Sequence, residues 1–188
     1  LSLVTHDDGQ PAVPHSLIAD IAGGAYPVVI NVLMALVARS ATGRGTHLDV
    51  AMADNVWPMQ YWALPKAVLG ENPRPSGERL TGGSPRYHVY PTADGRWIAA
   101  APLEQRFWER FCVAIDLPER YRDDTADPQA TTAAVRQVIA SRSATHWRET
   151  FEQADCCCTV VATLTEAVLD PAFVERGVLD ASVEEPTT

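Results

Sequence analysis

Asp20 and the two glycines that follow it are the first residues in the sequence whose types and spacing could do chemistry. Asp20 opens a stretch of helical periodicity, and Gly23 and Gly24 leave its first turn almost bare of side chains. A carboxylate can act as a nucleophile when it is held against donors and kept from water, and a helix N-terminus stabilises negative charge. The alternative is a plain helix N-cap or first-turn acid, whose carboxylate accepts from free backbone N–H groups; this role and the catalytic one are compatible.

A second carboxylate, Glu104, begins another predicted helix. Two carboxylates near one another push their pKa values apart, which suits acid–base work, but Glu104 is equally explained as a favourable acid at a helix N-terminus. Gly82 and Gly83 are the third candidate, and the residues by themselves are explained by a linker between domains.

The remaining candidates are predicted to be structural. All the histidines are predicted to be structural or surface residues. They are His6, His15, His47, His88 and His146. No Gly-x-Ser-x-Gly pattern supports a catalytic triad.

The contiguous cysteines Cys156–Cys158 lack the spacing of a metal site and are predicted to be small apolar residues in a buried strand. Arg44 and Arg86 could meet phosphates but are predicted to be solvated.

The elements that must position Asp20 indicate an α/β layer. Apolar residues recur at helical spacing after Asp20, with Arg39 in the last turn and Gly43 as the stop. Alternation over Leu48–Met52 predicts a short strand, and a second helix is predicted over about 54–64.

The second half of the chain indicates a smaller α+β domain. Prolines and glycines over 65–86 break any regular element, so we predict a large-domain part at 1–69, a linker at 70–86 and a small domain at 87–188. A turn at 93–95 predicts a hairpin. Further helices are predicted at 104–115, 131–141, 145–154, 165–169 and 171–176, with a short strand at 158–161.

The charge and the apolar stretches of the chain limit the classes of partner that it can bind. The chain has 188 residues and a formal net charge of −9, and it contains no basic run, which disfavours nucleic acid and anionic membrane as partners. The longest apolar candidate, Val28–Ala38, is shorter than the roughly 20 residues that span a bilayer and is predicted to be an ordinary buried helix. No signal peptide is recognised, and the cysteine usage favours a reduced, cytoplasmic protein.

An ordered set of motifs resembles the central part of the class III CoA-transferase family, the CaiB/BaiF group that also contains the α-methylacyl-CoA racemases. Each motif is weak alone, but together they cover nearly the whole chain in the correct order. The motifs are Asp20–Ala25, Ala35–Arg39, Thr42–Gly45, Leu48–Met52 with Asp54, Thr81–Tyr90, Thr92–Gly95, Leu103–Glu104, Phe107–Trp108, Asp170–Pro171 and Arg176–Gly177.

The resemblance implies a fold and an assembly. It implies part of a Rossmann-like large domain followed by a smaller domain, and two chains that interlock as a homodimer in the full-length enzyme. The active site would lie between the domains, with an acyl-CoA as substrate, a carboxylic acid as a possible acceptor and no metal. Members of the family are longer, so we expect this chain to be the middle of one.

The resemblance also implies residue roles. Asp20 matches the essential aspartate, which attacks an acyl-CoA in the transferases and exchanges the α-proton with a histidine in the racemases. That histidine belongs to a segment upstream of the matching part. Glu104 matches a glutamate of the racemase-like members, Gly23 and Gly24 would let the thioester approach, and Gly82 and Gly83 match the mobile loop that covers the site.

Three functions stay open at this point. CoA transfer through an aspartyl intermediate comes first on family frequency. A 2-methylacyl-CoA racemase or epimerase follows closely, because Glu104 and the sequence of residues 20–24 favour the racemase type. The third is a non-catalytic fragment that only dimerises.

Overall fold

The chain divides into two compact units. The computed structural model describes residues 12–13, 16–73 and 77–180, and the units lie within Leu1–Glu78 (unit 1) and Arg79–Thr188 (unit 2). His6 and His15 lie outside the described residues. The fold is a mixture of helices and one small antiparallel sheet. The domain limits of 1–69, 70–86 and 87–188 stay a prediction.

Unit 1 opens with one long helix in two parts. A π-helical segment, Ile18–Ala25, runs directly into α1, Tyr26–Thr42. Pro27 lacks the N–H that an α-helix would donate to the Gly23 carbonyl, and the wider turn before it accommodates the proline ring. The predicted stop is confirmed: Gly43 has φ +68°, and its N–H donates to the Arg39 carbonyl at 2.8 Å.

This helix is exposed, so the prediction of an ordinary buried helix is wrong. None of the residues of α1 is buried, and only 6% of the most apolar 18-residue stretch of the long helix is buried. Because the glycines do not interrupt the helix, it runs for 25 residues over Ile18–Thr42, long and apolar enough to cross a membrane by length and composition alone. A helix that is apolar all round needs a cover of protein or lipid.

The rest of unit 1 contains short helical pieces. The strand predicted over Leu48–Met52 is wrong, because no described residue pairs with this extended segment and α2 already begins at Met52. The predicted helix over 54–64 is broken by Pro58 and Pro65 into α2 (Met52–Asn55), a 3₁₀ turn (Trp57–Gln60) and α3 (Leu64–Val68).

Unit 2 contains the sheet. The predicted hairpin is confirmed, with β1 (His88–Pro91) antiparallel to β2 (Trp97–Ala100) and a turn in which Gly95 has φ +76°. β3 (Cys158–Val160) pairs with the other edge of β2. The prediction of three buried cysteines in this strand is wrong, because Cys157 is exposed with φ +56° and lies before the strand.

Helices accompany this sheet in the described part of unit 2, and the first three of them contribute side chains to its core. They are α4 (Gln105–Ala114), α5 (Pro128–Ile139), α6 (Ala144–Ala154), α7 (Leu164–Val168) and α8 (Pro171–Glu175), close to their predicted positions. Aromatic and aliphatic side chains from β1, β2, α4, α5 and α6 form one buried cluster, which includes Tyr90, Trp108, Phe111 and Trp147. The Asp94 carboxylate accepts from the Ala144 N–H at 3.1 Å and so joins the hairpin turn to the start of α6.

Candidate functional site

Asp20 lies in the first turn of the π-helical segment with an exposed side chain. The N-cap of that segment is Leu17, and no side chain caps it, so Asp20 is a first-turn acid rather than the N-cap. Within the described part of the chain, no hydrogen bond or ion pair involves its carboxylate. The carboxylate is therefore available to a ligand, and it lies where the helix N-terminus favours negative charge.

Gly23 and Gly24 lie against α2. Gly23 is buried, and a Cβ atom there would come within 2.9 Å of Val56 Cγ1 and 3.1 Å of the Met52 carbonyl oxygen. A Cβ atom on Gly24 would lie 3.2 Å from Met52 Cγ. The two glycines thus allow the chain after Asp20 to pack closely on α2, and their predicted contact with a thioester stays a prediction.

Glu104 is the N-cap residue of α4. Its backbone is extended, with φ −77° and ψ 144°, and its carbonyl oxygen accepts from the N–H groups of Phe107 and Trp108 at 3.0 Å each. Its side chain is exposed and makes no capping hydrogen bond. Desolvation, followed by the negative charge of Glu104, raises the pKa of the Cys157 thiol.

The Gly82–Gly83 loop is fastened to β1. His88 Nδ1 lies 2.7 Å from the Gly82 carbonyl oxygen, and the Tyr90 hydroxyl donates to the Pro85 carbonyl at 2.8 Å. Burial raises the pKa of Tyr90, which keeps its hydroxyl protonated as the donor. Gly82 has φ +94°, a conformation that favours glycine. The loop that the resemblance implies to be mobile is therefore held at two carbonyls.

Arg86 joins this loop to the start of α4. Its guanidinium makes two hydrogen bonds to the Asp124 carboxylate, at 2.9 and 2.6 Å, and a third to Gln105 Oε1 at 2.9 Å. Its side chain is only 14% exposed and lies over the Trp108 ring. The prediction of a solvated Arg86 is wrong, because Asp124 neutralises it inside unit 2. Arg44, by contrast, is exposed.

The described structure brings some of the predicted residues together and not others. In unit 2, Arg86 follows the glycine loop and contacts Gln105, the residue after Glu104. Asp20 belongs to unit 1. Sequence reasoning predicted His88 only as a structural or surface residue, without its partners, and overlooked Asp124. The alternation of His88 and Tyr90 on one face of a strand, directly after the glycine pair, was the available signal for His88. Among residues 12–13, 16–73 and 77–180, no group of three or more His, Cys, Asp or Glu side chains could hold a metal ion.

Comparison with known proteins gives consistent matches. The chain is 31% identical to alpha-methylacyl-CoA racemase of Homo sapiens over 98% of this chain and 50% of the racemase. It is 28% identical to succinate–glutarate CoA-transferase of Agrobacterium fabrum over 100% of this chain and 48% of the transferase. A crystal structure of a CAIB/BAIF family protein from Brucella suis has the same fold, with a TM-score of 0.70 and 22% identity over 94% of this chain and 48% of that one.

The chain spans about half the length of the relatives that it matches. The pattern that defines CoA-transferase family III matches residues 1–187, which is nearly every residue present. The resemblance drawn from the ordered motifs is therefore confirmed, and the chain belongs to CoA-transferase family III.

Proposed function

We propose that this chain is part of an enzyme that acts on acyl-CoA thioesters, with Asp20 as its catalytic carboxylate. The observation that carries the proposal is the state of Asp20: an exposed acid at a helix N-terminus with no partner among the described residues. A carboxylate that only capped the helix would be expected to accept from a backbone N–H, and none of the described residues donates to it. Gly23, packed on α2, fixes the segment that presents it.

The reaction that we favour is racemisation at the carbon beside the thioester. The Asp20 carboxylate would take the α-proton, the electron pair would enter the thioester carbonyl as an enolate, and a second acid would return a proton to the opposite face. The human racemase has 31% identity to this chain, against 28% for the transferase named above. Glu104, with a side chain that caps nothing, is proposed to lie beside the proton-transfer residues.

CoA transfer is the second candidate, and the match of this whole chain to 48% of a succinate–glutarate CoA-transferase supports it. In that reaction the Asp20 carboxylate would attack the thioester carbonyl. CoA would leave as a thiolate, and the acyl group and Asp20 would be joined as a mixed anhydride. The thiolate would then attack the aspartyl carbonyl and release the first acid. An acceptor acid would finally take the CoA by the reverse steps and free the aspartate.

The assembly belongs to the same proposal. We propose that unit 1 is part of a Rossmann-like large domain and that the full-length enzyme is an interlocked, cytoplasmic homodimer. The exposed apolar surface of α1 supports this, because such a surface is suited to burial under further protein. Four free cysteines are consistent with a reduced compartment.

The decisive experiment measures deuterium uptake at the α-carbon of a 2-methylacyl-CoA in D₂O, without an acceptor acid, using the full-length protein that carries this chain. Asp20→Asn should lower the exchange rate by at least roughly 100-fold, because it removes the proton-accepting carboxylate. The matched control is Asp116→Asn, an exposed aspartate with φ +52°, which asparagine also tolerates. Its rate should be unchanged.

The other outcomes separate the alternatives. No exchange, but CoA transfer that requires an added carboxylic acid, would establish the transferase. An Asp20→Asn protein that keeps the parental rate would remove Asp20 from the mechanism. A folded dimer that neither binds acyl-CoA nor reacts would leave the third reading, a module that only dimerises.

A further inference from the structure

His88 makes two hydrogen bonds that fix its chemical form. Its Nδ1 lies 2.7 Å from the Gly82 carbonyl oxygen, and its Nε2 lies 3.0 Å from an Arg136 guanidinium nitrogen. A carbonyl oxygen can only accept and a guanidinium can only donate, so Nδ1 must carry the proton and Nε2 must be bare. His88 is thus a neutral ring in one tautomer, with a donor aimed at the glycine loop.

The ring is held from two sides. Arg136 belongs to α5, which packs against β1, and the Tyr90 ring lies 4.8 Å from the His88 ring on the same face of that strand. Residues i and i+2 of a strand share a face, so β1 presents both donors to the loop: His88 to Gly82 and Tyr90 to Pro85. A loop anchored to a rigid strand is positioned more precisely than a free one.

The Gly82 peptide is the part of the loop that needs an anchor. Its φ of +94° favours glycine, and glycine has the largest conformational freedom to lose. Arg86 already ties the C-terminal end of the loop to Asp124 and Gln105. The hydrogen bond from His88 fixes the N-terminal end of the loop at Gly82. The next residue, Gly83, is exposed.

We propose that His88 is a positioning residue of the active site: its Nδ1–H holds the Gly82–Gly83 peptide in the position that the acyl-CoA reaction uses, and Arg136 enforces the required tautomer. This rests on the proposed function and on the family resemblance, which implies that the glycine loop covers the acyl-CoA site. His88 itself touches no reacting atom, so its effect is exerted through the loop.

Two substitutions separate the two hydrogen bonds. In His88→Asn the amide nitrogen replaces Nδ1 and keeps the donor to Gly82, whereas in His88→Gln the amide reaches the Nε2 position and keeps only the contact with Arg136. The tautomer of His88 is read from its ring ¹⁵N shifts in the 188-residue chain, and loop stability from hydrogen exchange at Gly83 and Ser84. The acyl-CoA reaction is measured in the full-length protein.

The expected result is an Nδ1–H tautomer, faster exchange at Gly83 in His88→Gln, and kcat/KM lowered about fivefold, the effect of one lost hydrogen bond. His88→Asn should restore most of both properties, which a general packing defect would not allow. An Nε2–H tautomer overturns the inference. So does a His88→Gln protein whose loop loosens while its activity stays at the parental value. A parent that turns over no acyl-CoA, yet shows the Nδ1–H tautomer, refutes the proposed function and with it the positioning role of His88 in that reaction, although the hydrogen bond to Gly82 would stand.

Discussion

Unit 1 and unit 2 differ in what covers their apolar residues. Sixteen buried residues form one cluster in unit 2, whereas the buried residues of unit 1, within its described part, are Gly23 and Ala63. Both units contain well-formed helices. The difference shows that unit 2 is stabilised by its own side chains, while unit 1 has its secondary structure in place with its apolar surface still open.

The largest expected effect tests this difference directly. Phe111→Ala should lower the free energy of unfolding by about 3–5 kcal/mol, because it opens a cavity among Trp108 and Phe151 in the core of unit 2. The counterpart in unit 1 is Val37→Ala on α1, where the side chain is 71% exposed. It should change stability by no more than about 0.5 kcal/mol in urea unfolding of the same chain. Equal losses would contradict the comparison.

The next effect concerns the ion pairs of unit 2. Asp124→Asn should cost about 2–3 kcal/mol, because it removes the counter-charge of a hydrogen-bonded pair whose side chains are 14% and 11% exposed. Asp155→Asn makes the same chemical change in the exposed Arg110–Asp155 pair and should cost less than about 1 kcal/mol. Chemical unfolding of both variants checks the ranking, and a larger loss in Asp155→Asn would be the contrary result.

A smaller effect is expected where unit 1 is closely packed. Gly23→Ala places a Cβ atom 2.9 Å from Val56 Cγ1 and should cost about 1–3 kcal/mol through overpacking. It should also speed hydrogen exchange over Met52–Val56. Gly45→Ala is the control, since no atom lies within 4 Å of its added Cβ, and it should stabilise by about 0.5 kcal/mol. If both variants behave alike, the Gly23 contact does not constrain unit 1.

The smallest effect is a titration at the rim of unit 2. The backbone N–H of Thr163, followed by the Arg96 guanidinium, lowers the pKa of Glu166 from 4.5 to about 2. A depressed pKa in the folded state contributes stability above the unfolded value, and this stability is lost as the pH falls through the folded pKa. The capping box at the start of α7 should therefore persist from neutral pH down to about pH 2. An NMR titration of the Glu166 carboxyl carbon with a midpoint near 4.5 would disprove this.

The sequence predicts features that depend on neighbours along the chain. The hairpin, the helices of unit 2 and the helix stop at Gly43 were correct, because turn chemistry, periodicity and a left-handed glycine act locally. The strand over 48–52 was wrong, because a strand needs a partner that local pattern cannot supply. The burial of α1 was wrong for a related reason: periodicity indicates which residues prefer burial, and packing decides whether they are covered.

The candidate site divides in the same way. The positions of Asp20 and Glu104 at helix N-termini were predicted correctly, because an acid near a helix start is a local signal, and their roles in the site stay a prediction. The partners of Arg86 and His88 were not found. Asp124 is 38 residues from Arg86, and Arg136 is 48 residues from His88, so only the tertiary fold pairs them.

The link between the hairpin turn and α6 limits where unit 2 can be engineered. The turn at Asp94 and Gly95 is exposed and short, the kind of site usually chosen for inserting a tag, a fluorophore or a foreign loop. However, the Asp94 carboxylate accepts from the first N–H of α6, and the Ala93 N–H donates to the Arg142 carbonyl before it. An insertion at this turn would therefore remove hydrogen bonds at the start of a helix 50 residues away, although Ser143 would still cap that helix.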